Sequence, residues 1–344
     1  MRVLVTGGAG YIGSHTAKAL ARVGIEPVVY DNLSTGHRWA TKWGPIVEAD
    51  LCDCQALKQT LEQYDITAAI HFAAHAYVGE SVLEPRKYFQ NNVTNSLNLL
   101  NALLDAGVHN IVFSSSCAVY GIPNSIPISE DHPKLPVNPY GDSKLFIERV
   151  LDWYGRAYGL RWAALRYFNA AGADPDGELG EDHDPETHLM PRIIEAAMGK
   201  CARIEMYGVD YATTDGTCVR DYIHVSDLAE AHVLALQHLL SENESFAVNL
   251  GSGRGATVRE VIAAVERVVG AKVNVNPAPR RLGDPPVLVA DPSRAESLLH
   301  WHPRFSSLEK IVTTACRWHH RTFPSATAGS DLQTSTVGLG ASTD

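Results

Sequence analysis

The sequence predicts an α/β protein with a doubly wound parallel sheet and a smaller, irregular α/β domain beside it. Two observations lead to this prediction. A glycine-rich turn joins the first predicted strand to the first predicted helix, and apolar runs alternate with helical stretches as far as about residue 170. Such alternation requires right-handed crossovers between parallel strands, which places helices on both faces of one sheet.

The first element is an apolar run over residues 1–6, which is typical of a buried strand. It ends in a turn that contains Gly7, Gly10 and Gly13, and a helical pattern follows over residues 14–23. Glycines at this spacing permit a tight turn and let the backbone approach a pyrophosphate closely. The helix N-terminus offers N–H groups and the positive end of its dipole to the phosphate oxygens. The segment therefore predicts a dinucleotide-binding turn.

The second element is an apolar run over residues 27–30 that ends at Asp31, eighteen residues after Gly13. An acidic residue at this place accepts hydrogen bonds from the ribose hydroxyls and repels a 2′-phosphate. The expected cofactor is therefore NAD rather than NADP. Arg38 lies nearby in the sequence and keeps NADP open as an alternative.

Later elements continue the alternation. The pattern predicts strands over residues 68–71, 110–114 and 161–166 and helices over residues 85–106 and 140–158. The carboxyl ends of parallel strands lie at one edge of a sheet, where ligands bind in folds of this kind. The residues expected to converge on this crevice are Phe72, Ala73, Ala74, Ser114, Ser115, Ser116, Tyr167, Phe168 and Asn169.

The predicted domain boundary lies where the regular alternation of strands and helices ends. Residues 1–170 are expected to form the dinucleotide-binding domain, and residues 220–250 are a candidate to return to it because 247–250 is typical of another buried strand. Residues 171–322, rich in Gly, Asp, Pro and His, are expected to form a smaller domain that caps the crevice and binds substrate. The polar tail, residues 323–344, is expected to be disordered.

Composition and charge restrict the class of protein. The chain has 344 residues and a net charge of −10, which disfavours nucleic acid and anionic membranes as partners. No apolar run reaches the roughly 18 residues of a membrane span. Scattered cysteines without C-x-x-C pairs favour a reducing, cytoplasmic compartment. No metal site is expected, because the histidines show no convincing ligand spacing. The histidines considered are His71, His75, His183 and His188.

Tyr140 and Lys144 carry the strongest chemical signal. Because they are four residues apart on a predicted helix, the phenol and the ammonium lie on one face. A phenol has an ordinary pKa near ~10 and is a poor base at neutral pH until positive charge stabilises its anion. Lys144 and a cationic nicotinamide ring would both supply that charge, and Ser116 could share the proton. These residues predict removal of a proton from a secondary alcohol while a hydride leaves its carbon.

Longer motifs resemble a known family. The stretches that carry the resemblance are GGAGYIG from Gly7, DNL from Asp31, HFAA from His71, VGES from Val78, SSS from Ser114, YGDSK from Tyr140, RYFN from Arg166 and VRDYIHV from Val219. They resemble the extended short-chain dehydrogenase/reductases, which are built on the Rossmann sheet, and within these the UDP-glucose 4-epimerase family. The resemblance covers about residues 1–320.

This resemblance implies an isomerase of carbohydrate metabolism that keeps NAD bound. It would reversibly epimerise a UDP-hexose at C4, between UDP-glucose and UDP-galactose, through a transient 4-keto sugar. A UDP-pentose (UDP-xylose or UDP-arabinose) and a UDP-N-acetylhexosamine stay open as alternative substrates. The resemblance also implies a homodimer that pairs through the helices over residues 85–106 and 140–158.

The roles of the family's site residues carry over to matching positions. Tyr140 is implied as the catalytic base, Lys144 as the residue that tunes it, and Ser116 as the residue that shares the proton. The implied NAD-binding residues are Gly7, Gly10, Tyr11, Ile12, Gly13, Asp31, Asn32, Asp50, Leu51, Phe72, Ala73, Ala74, Asn91, Ser114, Tyr140, Lys144 and Tyr167. The implied substrate-binding residues are Ser116, Tyr140, Asn169, His188, Leu189, Arg220, Arg281 and Asp284.

Two other functions, dehydration of a sugar nucleotide and non-catalytic sensing of NAD, fit these residues less well. A sugar-nucleotide 4,6-dehydratase would need an acid–base pair directly after the SSS motif, where this chain has Cys117 and Ala118. A non-catalytic NAD sensor on the same fold would be expected to lack Tyr140 or Lys144. Leu288 stands where some relatives place a bulky tyrosine that crowds the sugar's 2-substituent, so some tolerance of N-acetyl sugars is expected.

Overall fold

A seven-stranded, wholly parallel sheet forms the centre of the fold. The structure is a computed structural model that describes residues 1–281 and 284–322. The predicted disordered tail, residues 323–344, lies outside the described residues. Within the described part of the chain, no helix is both long and apolar enough to cross a lipid bilayer.

The elements are numbered in chain order. The strands are β1 Arg2–Thr6, β2 Glu26–Asp31, β3 Ile46–Glu48, β4 Ala68–His71, β5 Asn110–Ser116, β6 Arg161–Tyr167, β7 Asn169–Ala171, β8 Ile204–Tyr207, β9 Val219–His224, β10 Phe246–Leu250, β11 Gly255–Thr257, β12 Val275–Ala278 and β13 Val287–Leu288. The helices are α1 Tyr11–Arg22, α2 Cys54–Gln63, α3 Val78–Leu83, α4 Pro85–Tyr88, α5 Asn95–Asp105, α6 Pro139–Tyr158, α7 Leu189–Ala197, α8 Val225–Glu242, α9 Val258–Val269, α10 Ser293–Leu299 and α11 Leu308–Thr322. Short 3₁₀ turns lie at Arg38–Ala40 and Cys117–Tyr120, and a π-helical turn lies at Phe89–Thr94.

The strand order of the large sheet is β10-β6-β5-β4-β1-β2-β3, and neighbouring strands are parallel throughout. The chain runs outward from β1 to β3 on one side and from β4 towards β10 on the other. The direction of winding therefore changes between β1 and β4, and ligands of open α/β sheets bind at the carboxyl ends of the strands beside such a switch point. This topology confirms the predicted α/β class with a doubly wound parallel sheet.

Apolar side chains fill both faces of this sheet, as expected for parallel strands that are covered on both sides. One face packs against α1 and α8, where Leu20 and Leu236 share a core with Val5. The other face packs against α2, α5 and α6, and its core includes Leu57 and Leu100. Burial on both faces explains why these strands appear in the sequence as short, uninterrupted apolar runs.

The remaining strands form two smaller sheets. In one sheet β9 lies between β11 and β13 and also pairs with β7, and in the other β8 pairs with β12. Helices α7, α9 and α11 share a core beside them that includes Ile193, Val261 and Val312. Strand β10 lies in the large sheet, although it follows β9 in the chain. The division into domains at residue 170 remains a prediction.

Two element boundaries differ from the sequence-based prediction by more than one residue, and both lie at the crevice. Helix α1 begins at Tyr11 rather than at residue 14, so Gly13 lies inside the helix, where a Cβ atom would clash with the carbonyl oxygen of Gly7. Strand β5 continues to Ser116 instead of ending at residue 114, because its last residues stay paired with β6 as far as Tyr167.

The predicted helix over residues 85–106 is interrupted by the π-helical turn at Phe89–Thr94. There the Asn92 side chain accepts a hydrogen bond from the His75 N–H at 2.8 Å and donates to the His75 carbonyl at 3.0 Å. The same amide donates to Ser143 Oγ on α6 at 3.2 Å. A wide turn directs a side chain where a regular helix would not. The spacing of apolar residues does not reveal such a turn.

A buried ion pair joins α6 to the sheet. Arg166 on β6 donates to both carboxylate oxygens of Glu148 on α6, from Nε at 2.9 Å and from a terminal nitrogen at 2.7 Å. The side chains are only 5% and 6% exposed. Ser115 on β5 donates to the same carboxylate at 2.6 Å. This bidentate contact fixes α6 against β5 and β6.

We expect Glu148→Ala to lower the free energy of unfolding by about 3–5 kcal/mol, because it leaves the Arg166 guanidinium buried without its carboxylate. Asp152→Ala is the matched control, since Asp152 lies one turn further along α6 and pairs with Arg156 at 2.8 Å on the surface. The control should lose less than about 1 kcal/mol. Urea denaturation followed by circular dichroism measures both, and equal losses would contradict the importance of the buried pair.

Candidate active site

Side chains from β5 and α6 meet at the carboxyl edge of the large sheet. Ser116 is the last residue of β5, and Tyr140 and Lys144 lie in the first two turns of α6. The helix is capped by Asn138, whose side-chain oxygen accepts a backbone N–H at 2.8 Å, and Pro139 occupies its first position. The cap therefore fixes where α6 begins, and with it the position of the Tyr140 phenol relative to the end of β5.

Lys144 is buried with a backbone carbonyl as its hydrogen-bond acceptor. Its Nζ donates to the carbonyl oxygen of Ser114 at 2.7 Å and lies 5.1 Å from the centre of the Phe113 ring. The same nitrogen lies 5.8 Å from the centre of the Tyr140 ring. Burial lowers the pKa of Lys144 to about 7. The side chain is therefore a proton-sensitive positive charge beside the phenol.

Tyr140 is itself buried, and burial raises the pKa of its phenol. The neighbouring Tyr167 raises the pKa further, whereas a hydrogen bond with the Ser116 hydroxyl lowers it. The protein environment alone therefore favours the neutral phenol. Positive charge has to lie close to the ring before Tyr140 can act as a base near neutral pH.

Tyr167 and Phe72 extend this edge of the sheet. Ser114 Oγ and the Tyr167 hydroxyl lie 2.5 Å apart, and burial raises the pKa of Tyr167 to about 12 against the opposing effect of that hydrogen bond. Tyr167 is therefore a neutral phenol at physiological pH. Phe72 packs against His232 of α8 with ring centres 4.6 Å apart and ring planes tilted by 43°. These contacts fix the walls of the crevice on both sides of β5.

The glycine turn lies directly against the end of β4. Gly7 has a φ of +70°, and a Cβ atom there would lie 2.6 Å from the Ala73 backbone nitrogen. Gly10 is the N-cap of α1, so the first turn of this helix presents backbone N–H groups to the crevice. Tyr11 donates its hydroxyl to the Gly172 carbonyl at 2.6 Å, which ties the turn to the segment that follows β7. Ala74 follows in the same loop.

An acidic cluster closes the other end of the crevice. The Asp31 carboxylate accepts backbone N–H groups of Ala9 at 2.9 Å and of Leu33 at 2.8 Å. Burial raises its pKa, and these two hydrogen bonds act in the opposite direction. Asn32 donates to Asp50 at 2.6 Å. Each carboxylate oxygen has a second lone pair, so these groups can still accept from hydroxyls or an amine.

The basic residue that kept NADP open in the sequence is paired with a carboxylate. Arg38 forms an ion pair with Glu48, the β3 residue that lies opposite Asp31. Leu51, which follows Asp50, is buried. The Arg38 charge is therefore balanced by Glu48, and the Asp31 carboxylate favours NAD over NADP.

The predicted substrate residues are grouped only in part. Arg220 on β9 is nearly buried and forms an ion pair with Asp284, and it also donates to the carbonyl of Val219 at 2.7 Å. Burial lowers the pKa of Arg220, but Asp284 outweighs this effect and raises it. Arg281 is exposed, and its guanidinium lies 4.1 Å from the centre of the Tyr207 ring, outside this pair. Asn169, the first residue of β7, is exposed.

Helix α7 begins at Leu189 and is preceded by His188. His188 belongs to a cluster that the sequence analysis missed. We call Glu181, His183, Glu186 and His188 the Glu181 cluster. His188 Nδ1 donates to Glu181 at 2.5 Å, and His183 Nδ1 lies 3.5 Å from a carboxylate oxygen of each glutamate. Burial lowers the pKa of both imidazoles, but the carboxylates outweigh it and raise both values. Burial raises the pKa of Glu181, and the imidazoles bring it below its usual range.

The sequence did contain a signal for this cluster. Its members follow the spacing E-x-H-x-x-E-x-H, which indicates a ligand set only when the two glutamates are taken together with the two histidines.

Asn92 was also missed, although it connects the loop after β4 to α6. Its neighbour Asn91, predicted at the cofactor, donates to Asn92 at 3.0 Å. The roles of the predicted site residues therefore rest on their grouping, and they stay predictions.

Comparison with known proteins agrees with the fold. The sequence profile of the NAD dependent epimerase/dehydratase family matches residues 3–251. Among curated relatives, the UDP-glucose 4-epimerase of Rhizobium meliloti (strain 1021) is 50% identical over 319 residues, which are 93% of this chain and 97% of the relative.

Solved structures give the same result. A UDP-glucose 4-epimerase from Brucella ovis in complex with NAD is 55% identical, with a TM-score of 0.90 over 92% of this chain and 98% of that chain. A UDP-glucose 4-epimerase from Stenotrophomonas maltophila, with bound NAD and formylated UDP-arabinopyranose, is 40% identical. Its TM-score is 0.90 over 94% of this chain and 98% of that chain.

Proposed function

Because the chain belongs to the NAD dependent epimerase/dehydratase family, we propose that it interconverts UDP-glucose and UDP-galactose, with NAD as its cofactor. The reaction inverts C4 of the hexose through a transient 4-keto sugar. One observation carries the proposal above all. Ser116, Tyr140 and Lys144 converge at the carboxyl end of β5 in a chain that matches a UDP-glucose 4-epimerase over 93% of its length.

The crevice fits NAD. The glycine turn is packed too closely for side chains at Gly7 or Gly13, so a diphosphate can approach the backbone and the N-terminus of α1. Asp31 and Asn32 would hold the adenosine ribose, with Asp50 and Leu51 at the adenine. When bound, NAD supplies the group that accepts the hydride from the sugar C4 and gives it back.

The protein's own contribution to the chemistry is proton transfer. Tyr140 takes the proton of the sugar 4-hydroxyl and later returns one to the oxygen of the epimerised sugar. Its raised pKa opposes this role, and the ammonium form of Lys144 and the positive nicotinamide ring favour the phenolate. The Ser116 hydroxyl, hydrogen-bonded to Tyr140, shares the proton between the phenol and the substrate oxygen.

The nucleotide of the substrate is held apart from the reacting sugar. Arg220 suits a diphosphate because its planar guanidinium binds two oxygens at once, and Asp284 orients it. His188 uses Nδ1 to bind Glu181, which leaves Nε2 available to the substrate, and Leu189 follows it. With Arg281, these residues would anchor UDP in residues 171–322, and Asn169 would contact it from the edge of residues 1–170. Residues 1–170 and β10 hold NAD. The sugar then stays free to present either face.

The residues after Ser116 speak against dehydration. Cys117 and Ala118 occupy the positions where a 4,6-dehydratase needs an acid and a base. Burial raises the pKa of the Cys117 thiol to about 12, so it stays protonated at neutral pH and cannot remove a proton from carbon. We propose a reducing compartment, the cytoplasm, as the protein's location, because all six cysteines are free thiols.

Purified protein should convert UDP-galactose to UDP-glucose with no NAD added, because the cofactor is regenerated in each turnover. The reaction is stopped, and the nucleotide sugars are separated and quantified by chromatography, because a coupled dehydrogenase would itself require added NAD. UDP-N-acetylgalactosamine and UDP-arabinose are assayed in parallel, since Leu288 is a half-buried aliphatic side chain beside Tyr120 and Phe168. Conversion of UDP-arabinose alone would assign the chain to pentoses, and no conversion of any of the three, with or without NAD, would contradict the proposal.

Tyr140→Phe should lower kcat by about 10²–10⁴-fold, because it removes the group that exchanges the proton with the 4-hydroxyl. The NAD content of the purified variant, measured after heat release, should not change. Tyr154→Phe is the matched control, since Tyr154 lies on the same helix and donates to Asn101 at the surface. If both variants keep wild-type turnover, Tyr140 is not the base.

We propose a homodimer that pairs through the outer surface of α3 to α6. Helices α3 and α4 pack against α6, and this surface exposes large apolar side chains. Phe146 is 47% exposed and Trp153 is 65% exposed, and their spacing of seven residues places them on one side of α6. Leu83 and Phe89 are exposed on the neighbouring segments. An apolar stripe of this kind is typical of a two-fold interface.

Replacing Phe146 and Trp153 together by Glu should convert the dimer to a monomer, because charges cannot be buried against their own copies. Sedimentation velocity gives the mass directly. Val268→Glu is the control, since Val268 is an exposed aliphatic residue on α9, away from α6. A wild-type protein that sediments as a monomer at micromolar concentration would refute the dimer.

A further inference from the structure

The Glu181 cluster directs two carboxylates and two imidazoles at one point. One ligand atom from each of Glu181, His183, Glu186 and His188 can be chosen so that all four lie within 4.8 Å of one another. Glu181 is buried, while His183 and Glu186 are half-buried. The four residues come from one short segment between Gly180 and α7. They are therefore held together by local chain geometry as well as by their charges.

Their spacing matches a tetrahedral metal shell. Ligands at the 2.0–2.1 Å zinc distance stand roughly 3.4 Å apart along the edges of a tetrahedron. His183 Nδ1 is 3.5 Å from Glu181 Oε1 and 3.5 Å from Glu186 Oε2, and His188 Nδ1 is 3.8 Å from Glu186 Oε1. These three separations lie within about 0.5 Å of the tetrahedral edge, with Glu186 presenting Oε2 to His183 and Oε1 to His188. The hydrogen bond between His188 and Glu181, at 2.5 Å, is shorter.

A ring nitrogen in this cluster lacks a hydrogen bond. Among the described residues, His183 Nδ1 is buried and has no hydrogen-bond partner, although it faces both carboxylates. A buried polar atom without a partner is unfavourable unless another group engages it. A cation that replaces the proton on this nitrogen would engage it together with the two carboxylates.

A second carboxylate cluster provides a contrast. Asp174, Asp176 and Glu178 also come within bonding distance of one point, and there the Lys18 ammonium lies at 2.6, 2.9 and 2.6 Å from their oxygens. That cluster has its cation built into α1. In the Glu181 cluster the groups that face the carboxylates are imidazoles, which are metal ligands in their neutral form.

We propose that Glu181, His183, Glu186 and His188 bind one divalent transition-metal ion, with zinc as the best match. Imidazole nitrogen and carboxylate oxygen together favour zinc over magnesium or calcium, which prefer oxygen ligands. Four protein ligands fill a tetrahedral shell and leave no open position, so the site is structural rather than catalytic. This proposal replaces the sequence-based expectation that the chain has no metal site.

Metal binding requires two local changes. The protons on Nδ1 of His183 and on Nδ1 of His188 must leave to solvent, because only a neutral nitrogen binds a metal. His188 Nδ1 and Glu181 Oε1 must also separate by about 1 Å to reach the tetrahedral spacing. The bound ion would then fix the segment that precedes α7. His183 and His188 make ring contacts with Tyr77 at 6.2 and 5.8 Å, and His183 contacts Tyr11 at 6.4 Å. The ligands are thus positioning residues between the glycine turn and Leu189.

The test measures metal binding and does not depend on epimerase activity. The full chain with its bound cofactor is treated with a chelator, dialysed, and titrated with Zn²⁺ alone, and bound zinc is counted by plasma mass spectrometry. His183→Asn and Glu186→Gln remove one ligand each. Asp176→Asn is the matched control, because it alters the cluster that Lys18 already fills. Circular dichroism checks that each variant is folded.

We expect one zinc per chain, an affinity at least 10-fold lower in each ligand variant, and unchanged binding in the control. Co²⁺ in place of zinc should give the intense visible absorption of a tetrahedral site. Zinc-edge X-ray absorption of the wild-type protein should show four nitrogen or oxygen ligands, two of them imidazoles, and this holds even if a variant fails to fold. No retained zinc, equal zinc binding by folded ligand variants, or a six-coordinate shell overturns the proposal.

Discussion

The burial of the Lys144 ammonium beside the end of β5 is the constraint on which the site depends. Lys144 has a carbonyl oxygen of β5 and the face of Phe113 as neighbours, and burial moves its pKa to about 7. A buried cation of this kind is unfavourable for folding, so the structure around it has to be rigid. In return the charge lies where the phenolate of Tyr140 must form.

Several features hold that arrangement in place. The Asn138 cap fixes where α6 begins, and the register between β5 and β6 continues to Ser116 and Tyr167. The ion pair between Arg166 of β6, the strand next to β5, and Glu148 of α6 attaches the same helix to the sheet. The groups that we propose as catalytic thus lie on regular elements, while the residues proposed to bind the nucleotide of the substrate lie outside the large sheet. This division suits a reaction in which the sugar turns while the proton-transfer groups stay fixed.

The sequence predicted the features that depend on local geometry. The spacing of Tyr140 and Lys144 is one helical turn, and Asp31 ends an apolar strand, so both could be placed without knowing the rest of the fold. The pairing of Arg220 with Asp284 spans 64 residues and could be suggested only by family resemblance. Ser116 belongs to β5 because of a pairing with β6 that a run of three serines does not reveal.

Irregular backbone limited the prediction elsewhere. The π-helical turn that aims Asn92 at His75 has no counterpart in apolar spacing. In the Glu181 cluster the residues are close in sequence, but the segment between Gly180 and α7 is neither helix nor strand, so their spacing gave no distances. The start of α1 is a similar case. The helix can begin at Tyr11 because Gly13 has no side chain to clash with Gly7.

The most direct test of the central claim follows the hydrogen at C4. UDP-galactose that carries deuterium at C4 is converted by the purified protein in ordinary water, and the UDP-glucose formed is examined by nuclear magnetic resonance. If Tyr140 exchanges only the hydroxyl proton while the C4 hydrogen stays inside the closed site, the product retains its deuterium. Hydrogen from water at C4 would contradict this mechanism, because it would mean that the carbon itself is deprotonated.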